Sequence, residues 1–238
     1  HLITANFTGS LRLFVGLGWP MVYFVALIFE KINKGQKGFR NIKLDDEHAI
    51  AILSLLPALL YFVVIYLKGT LNIFDGLVLG AIYFVYLYLL FKFPPHDKEG
   101  IEDLGRIPKY VMGHKYPLNV VLIACLFIAG AVIIFFSTYP FLNSMLAIAI
   151  SMGISQFVFV QWVSPFLSEF PEKLSAFYWA KKVTKAPMAL INFVSSSINQ
   201  WTILVATIPF IYSLGMGHWA FIVFDEHQKV EILLTIVQ

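Results

Sequence analysis

Long apolar stretches recur along this chain, and they restrict it to folds that span a membrane. A helix needs about 20 apolar residues to cross the hydrocarbon core. Five stretches reach that length, near 3–29, 49–67, 73–91, 117–141 and 186–213. A sixth, at 144–180, is broken by prolines, and a last one begins near 230. With 59% hydrophobic residues and 13% charged ones, against about 25% charged in soluble domains, the chain is predicted to be an all-α polytopic membrane protein in a lipid bilayer.

Basic residues are divided unevenly between the two sides that these spans define. Together with Lys92, the segments 30–46, 93–116 and 181–185 carry 13 of the 17 Lys and Arg residues. The opposite side carries only Lys68 and Lys229. Because Lys and Arg accumulate in cytoplasmic loops, the three segments are predicted to be cytoplasmic, in the plasma or inner membrane. The net charge of +3 is small and dispersed, which argues against a nucleic-acid partner.

The polar segment 93–116 divides the chain into two halves. The first, 1–92, holds three spans, and the second, 117–238, holds three spans and a truncated fourth. We expect both ends to lie inside a larger protein, since each falls within a helical pattern. A metal site in the connector is disfavoured, because a solvated loop explains the same acidic residues and histidine: His96, Asp97, Glu99, Glu102 and Asp103.

The stretch Gly153–Lys182 places polar residues at a depth where water is scarce. Ser164, Ser168, Glu172 and Ser175 follow one another at helical spacing and predict an oxygen-lined stripe. An intramembrane carboxylate is a functional candidate by default, so Glu172 is predicted to be the principal cation and metal ligand, against the alternative of a structural glutamate. Pro171 lacks an N–H and is expected to break the helix there.

Glu169 is open to two interpretations. It precedes Lys173 by four residues, the favoured spacing for an intrahelical ion pair. It therefore either neutralises Lys173 or acts as a second, proton-carrying carboxylate. In the first case this half of the site keeps about one free negative charge, which favours a monovalent cation or proton over calcium.

A short internal repeat relates the first span to the 186–213 span. Asn6-Phe7 and Asn192-Phe193 pair, as do Ser10 and Ser196, and the two helices enter from opposite sides. Similar helices of opposite orientation indicate an inverted repeat with a midplane substrate site. The predicted ligands on these helices are Asn6, Ser10, Asn192, Ser196, Asn199 and Gln200. Arg12 either extends to the membrane interface or pairs with a buried acid in place of a bound cation.

These motifs resemble the cation/calcium exchanger superfamily, specifically the sodium/calcium exchanger membrane region. The run AISMGISQFVFVQWVSPFLSEFPE resembles the "lGiS" turn and the "GTSLPE" motif of the second repeat, and NFVSSS occupies the place of "GNxxGSN". NFTGS resembles the same motif in the first repeat, and FDEHQKVEILLTIVQ the ninth helix. The resemblance implies an inverted-repeat fold of ten helices, with about six complete in this chain.

The resemblance also has departures that bear on the transported ion. Leu167-Ser168-Glu169 replaces "GTS", neutral Gln200 aligns with a polar or acidic ligand, and Phe14 aligns with its first-repeat counterpart. Calcium prefers several carboxylates among six to eight oxygens, so fewer acids weaken the case for calcium.

The leading hypothesis is a secondary cation antiporter of the sodium/calcium or sodium/proton type, with no cofactor and inorganic cations as its partners. A degenerate, non-transporting scaffold of the same fold is the main alternative, and Leu13, Phe14 and the altered "GTS" position favour it. An intramembrane hydrolase is disfavoured, because no histidine lies in a predicted span to activate a nucleophile.

Overall fold

The computed structural model describes residues 2–34, 41–44, 46–92 and 105–238. Within these ranges the chain is almost entirely helical. The helices are α1 Leu2–Leu13, α2 Trp19–Lys34, α3 Asp46–Lys68, α4 Ile73–Lys92, α5 Arg106–Met112, α6 Leu118–Ser151, α7 Gln156–Ser168, α8 Phe170–Lys181, α9 Ala186–Asn199, α10 Val205–Met216 and α11 Glu226–Ile236. Two short strands, β1 Thr70–Leu71 and β2 Ile222–Val223, complete the described part.

Four of the helices are long and apolar enough to cross a membrane, among the residues the structure describes: Leu2–Ile32, His48–Lys68, Ile73–Lys92 and Leu118–Ser151. Their apolar side chains are largely exposed, with only 22% of the span buried in α3 and in α4. Exposed Leu, Phe and Val on such helices find their apolar environment in lipid. This confirms the prediction of a helical, membrane-spanning protein.

The chain forms two compact units, one of residues His1–Phe93 with Ser155–Gln238 and one of Pro94–Ile154. The second unit holds α5 and α6. Here the predicted span boundaries were wrong, because α6 continues through Pro140 to Ser151 instead of ending near 141. The apolar run after Pro140 sustains the helix, as proline is tolerated in membrane helices. The connector's His96, Asp97, Glu99, Glu102 and Asp103 lie outside the described residues.

Two long helices of the first unit share an irregularity. A π-helical segment, Phe14–Gly18, joins α1 to α2, and another, Gln200–Leu204, joins α9 to α10. Each begins eight residues after the asparagine that the sequence repeat pairs, Asn6 or Asn192. Single π-helical turns often occur at functional sites. The two halves of the repeat thus share a backbone irregularity, although the residues at these positions differ.

Contacts between these two long helices show that they run in opposite directions. Ser10 bonds to Gln200, while further along the first helix the Phe14 ring packs on Phe193 with centroids 5.2 Å apart. Gly18, later still, also faces the Phe193 ring. Advancing along one helix means retreating along the other, as an inverted repeat requires.

One apolar cluster of this unit joins α1, α3, α4, α10 and α11 to the π-helical segment Gln200–Leu204. The Phe62 ring packs edge-on against Trp201 with centroids 4.3 Å apart, and Phe7 lies beside it at 6.2 Å. Nearby, β1 pairs antiparallel with β2, with Thr70 opposite Val223. This ribbon joins the α3–α4 connection to the α10–α11 connection. Helix α11 then starts in a capping box, in which Asp225 accepts from the Gln228 amide and Gln228 accepts in return.

Candidate functional site

The candidate site lies where α7 ends and α8 begins. Pro171 occupies the first turn of α8, where its missing N–H is tolerated. The break falls at Glu169, whose backbone leaves the helical region. The Pro165 carbonyl accepts from the Glu169 amide at 3.1 Å and from Lys173 Nζ at 3.2 Å. The expected interruption near Pro171 is therefore present, and it turns a carbonyl oxygen toward a buried ammonium group.

Glu169 is the centre of a polar network that joins three elements. Its Oε2 lies 3.1 Å from Lys173 Nζ, and its Oε1 accepts from Gln200 Nε2 at 2.6 Å. Gln200 Nε2 also donates to Ser10 Oγ. The predicted ion pair between Glu169 and Lys173 is confirmed, so Glu169 neutralises Lys173 in this structure. The network connects α1, the helix break and the π-helical segment at Gln200.

Gln200 contributes an unsatisfied oxygen to this network. Its Nε2 donates twice, whereas its Oε1 is buried and has no hydrogen-bond partner among the residues the structure describes. A buried acceptor without a donor costs about 1–3 kcal/mol. Such an oxygen could coordinate a cation or accept a hydrogen bond from a protonated group.

Phe14 occupies the position that the repeat pairs with Gln200. Its ring is fully buried, packs on Phe193, and lies with its centroid 5.2 Å from Lys173 Nζ. An ammonium group over an aromatic face is attracted to the ring electrons. Phe14 therefore contacts the site through Lys173, although it offers no oxygen ligand.

Two further pairs bring predicted ligands together. Ser164 Oγ donates to Asn6 Oδ1 at 2.9 Å, which joins α7 to α1. Asn192 Nδ2 lies 3.5 Å from the main-chain oxygen of Glu172, which joins α9 to α8. Glu172 itself is half-buried, and the described residues place no hydrogen-bond donor on its carboxylate. It is therefore open to an external partner.

The remaining predicted ligands are not drawn into the network. Ser168, Ser175 and Asn199 are exposed on this chain, and Ser196 is half-buried. The helical spacing from Ser164 to Ser175 assumes one continuous helix, and the break at Glu169 removes that common face. Ser164 is consequently buried against α1 while the two serines beyond it are not.

Comparisons with known proteins assign this fold, with its break between α7 and α8, to a family. The sequence profile described as "Sodium/calcium exchanger protein" matches residues 1–92 and 122–237. The chain belongs to this exchanger family. A crystal structure of the H+/Ca2+ exchanger CAX is similar, with a TM-score of 0.85 and 33% identity, over 99% of this chain and 56% of that one. No curated protein sequence matches the chain. The chain thus spans just over half the length of this relative.

The acid that pairs with Arg12 in this exchanger-family chain was not identified from the sequence. Arg12 Nη2 lies 2.7 Å from Glu231 Oε2 and donates to the Glu231 main-chain oxygen at 3.2 Å. Gln161 Nε2 donates to the same carboxylate oxygen. Of the two alternatives for Arg12, the structure shows the pairing with a buried acid. The available signal was Glu231 itself, a carboxylate beside the apolar run ILLTIV, since an acid in such a run needs a partner.

A close backbone crossing fixes α1 against α7 in this exchanger-family fold. A Cβ atom on Gly9 would lie 1.7 Å from the main-chain oxygen of Gln161. Small residues allow membrane helices to approach in this way. Gly9 therefore sets the separation at which Ser10 and Asn6 reach their partners.

Proposed function

We propose that this chain forms the ion-binding part of a secondary cation antiporter that works by alternating access around a midplane site centred on Glu172. Membership of the exchanger family supports cation antiport as the class. The observation that carries the assignment of the site is the network at the helix break, where Glu169, Gln200 and Ser10 join three elements beside Glu172. Gln200 Oε1 accepts no hydrogen bond from the described residues, so a cation bound at the network would supply the partner that this oxygen lacks there.

In this proposal the two glutamates have different tasks. Both oxygens of Glu169 are held by donors, one from Lys173 and one from Gln200. Glu172 lies in the first turn of α8, three residues after Glu169. Its carboxylate binds a cation in one state and, in the other, either a proton or a competing cation. Serine, asparagine and carbonyl oxygens replace part of the ion's hydration shell, which is how discontinuous helices bind cations in transporters. The exchange is of the sodium/calcium or sodium/proton type.

The proposed orientation places segments 30–46, 93–116 and 181–185 in the cytoplasm, in the plasma or inner membrane. The 13-to-2 division of basic residues supports it.

A degenerate scaffold of the same fold is the second candidate. The observation that favours it is Phe14, whose fully buried ring stands where the first repeat would supply a ligand. The two candidates differ in one measurable property, which is cation flux across the membrane. Only a transporter shows a flux that is lost when a site residue such as Glu172 is replaced.

The test is flux through the full-length parent protein in proteoliposomes that contain a pH dye, with sodium, potassium or calcium added outside in turn. Wild type is compared with Glu172→Gln. Glu226→Gln is the matched control, since that side chain is 89% exposed. We expect a cation-dependent pH change that Glu172→Gln abolishes and Glu226→Gln retains.

If no pH change occurs, calcium uptake driven by an outward sodium gradient is measured on the same vesicles. Uptake that depends on Glu172 assigns sodium/calcium exchange. Absence of both fluxes, from protein with a cooperative melting transition, refutes the antiporter and leaves the scaffold.

A further inference from the structure

Lys173 is an unusual residue for the interior of a cation site. Its side chain is 6% exposed, and it belongs to the buried network at the helix break. A buried ammonium is stable only with partners, because losing its hydration costs several kcal/mol. The partners of Lys173 therefore indicate what this position is built to hold.

Those partners are of the kind that surround a bound metal cation. Nζ lies 3.1 Å from Glu169 Oε2 and 3.2 Å from the Pro165 carbonyl oxygen. Carboxylates and backbone carbonyls are the usual oxygen ligands of hard cations. On another side the ammonium faces the Phe14 ring at 5.2 Å. The Lys173 ammonium therefore lies among groups that could equally well contact a bound cation.

We propose that Lys173 is a tethered cation that permanently occupies one subsite of the transport site, so that the site accepts a single monovalent cation or proton. This inference rests on the proposed function. Glu169 and Lys173 cancel in charge, which leaves Glu172 as the one uncompensated charge that this chain's described helix break supplies. One negative charge matches a monovalent ion better than it matches calcium, whose sites gain affinity from additional carboxylates.

Phe14 has a task under this proposal. An oxygen ligand at its position would favour a mobile ion that has to be released in each cycle. An aromatic face instead stabilises a fixed ammonium group without adding negative charge. The departure from the repeat at Phe14 and the presence of Lys173 are then two parts of one arrangement.

The test compares full-length Lys173→Met with wild type. Calcium binding is measured by calorimetry on purified protein and calcium uptake in proteoliposomes. Methionine keeps the apolar stem and removes the ammonium, which frees Glu169 and the Pro165 carbonyl for an ion. We expect the half-saturating calcium concentration to fall at least about tenfold, since a unit charge a few ångströms away is worth several kcal/mol at a partly buried site.

Two further variants make the result specific. Adding Glu169→Gln to Lys173→Met is expected to reverse the gain in calcium affinity. Lys229→Met, which removes a lysine paired with the exposed Glu226, is expected to produce no gain. A calcium affinity of Lys173→Met equal to that of wild type overturns the proposal.

If Lys173→Met alone does not fold, the reverse experiment decides. Glu169→Gln leaves the ammonium uncompensated near Glu172 and is expected to weaken sodium binding at least about tenfold. Adding Lys173→Met should then restore most of the lost binding, whereas no restoration overturns the proposal, because Glu169 would itself be a ligand.

The outcome is separable from that of the proposed function. Flux that depends on Glu172 without any calcium gain in Lys173→Met refutes the tethered cation and leaves antiport in place. Absence of flux in wild type refutes antiport, whatever the binding measurements on Lys173 variants show.

Discussion

The crossing of α1 and α7 at Gly9 gives a sharp prediction. In Gly9→Ala the new methyl group would lie 1.7 Å from the Gln161 main-chain oxygen, with the Gln161 carbonyl carbon at 2.6 Å. The opposing atoms are backbone, so they cannot rotate away as the end of a flexible side chain does. Helices α1 and α7 must therefore separate, and the side chains that they carry into the site must move with them.

The size of that separation follows from the contact distance. Ordinary Cβ contacts begin at 3.4 Å, so the helices must move apart by about 1.7 Å. Overpacking of this kind costs about 1–3 kcal/mol in the free energy of unfolding. The next residue, Ser10, belongs to the Gln200–Glu169 network. Since a misplacement of about 1 Å costs a catalytic site roughly 100-fold, we expect cation flux to fall by a comparable factor.

The assay is a thermal melt of the purified full-length protein in detergent, followed by cation flux in proteoliposomes. Gly80→Ala is the control, since a Cβ atom there meets nothing within 4 Å in the structure. Alanine at that helical position should leave stability equal or raise it by up to about 1 kcal/mol. A Gly9→Ala protein that melts and transports like wild type would refute the crossing geometry.

Two further predictions concern stability. Glu231→Gln, which leaves the half-buried Arg12 without its counterion, is expected to lower the free energy of unfolding by up to about 3–5 kcal/mol. Replacing both residues with leucine should cost far less. Denaturant melts measure the free energy of unfolding of the single and the double variant. Equal losses in the two would show that Arg12 and Glu231 do not stabilise the protein as a pair. Phe62→Ala removes a fully buried ring packed on Trp201 and is expected to cost about 3–5 kcal/mol. Phe24→Ala, at a side chain 58% exposed, should stay within about 0.5 kcal/mol in the same melts; similar losses for both would contradict this position of the core.

Much of the architecture was predictable from local patterns. Among the residues that the structure describes, apolar length located four helices long enough to cross a membrane, although the predicted 186–213 span is not one of them and the end of α6 was misplaced. Pro171 marked the break between α7 and α8. The four-residue spacing of Glu169 and Lys173 predicted their ion pair, which the structure confirms. These features depend on residues that are close in sequence, so periodicity and proline chemistry were sufficient to find them.

The features that escaped prediction depend on distant partners. Arg12 and Glu231 come from opposite ends of the chain, and nothing in either local sequence specifies the other. The exposure of Ser168 and Ser175 was missed for a related reason, since a helical-wheel argument does not hold across a break. The end of α6 was misplaced because the apolar span was predicted to end near 141, whereas the helix passes through Pro140 and continues to Ser151.

The matched π-helical segments at Phe14–Gly18 and Gln200–Leu204 also bear on the ancestry of the fold. A π-helical turn is rare and occurs mostly as a single turn inside an α-helix, frequently at a functional site. Its recurrence at the same distance from Asn6 and from Asn192 is most simply inherited from a single gene segment that was later duplicated. The side chains at the two equivalent positions have since diverged to Phe14 and Gln200. The backbone irregularity thus retains a similarity between the two halves that the residues at these two positions no longer show.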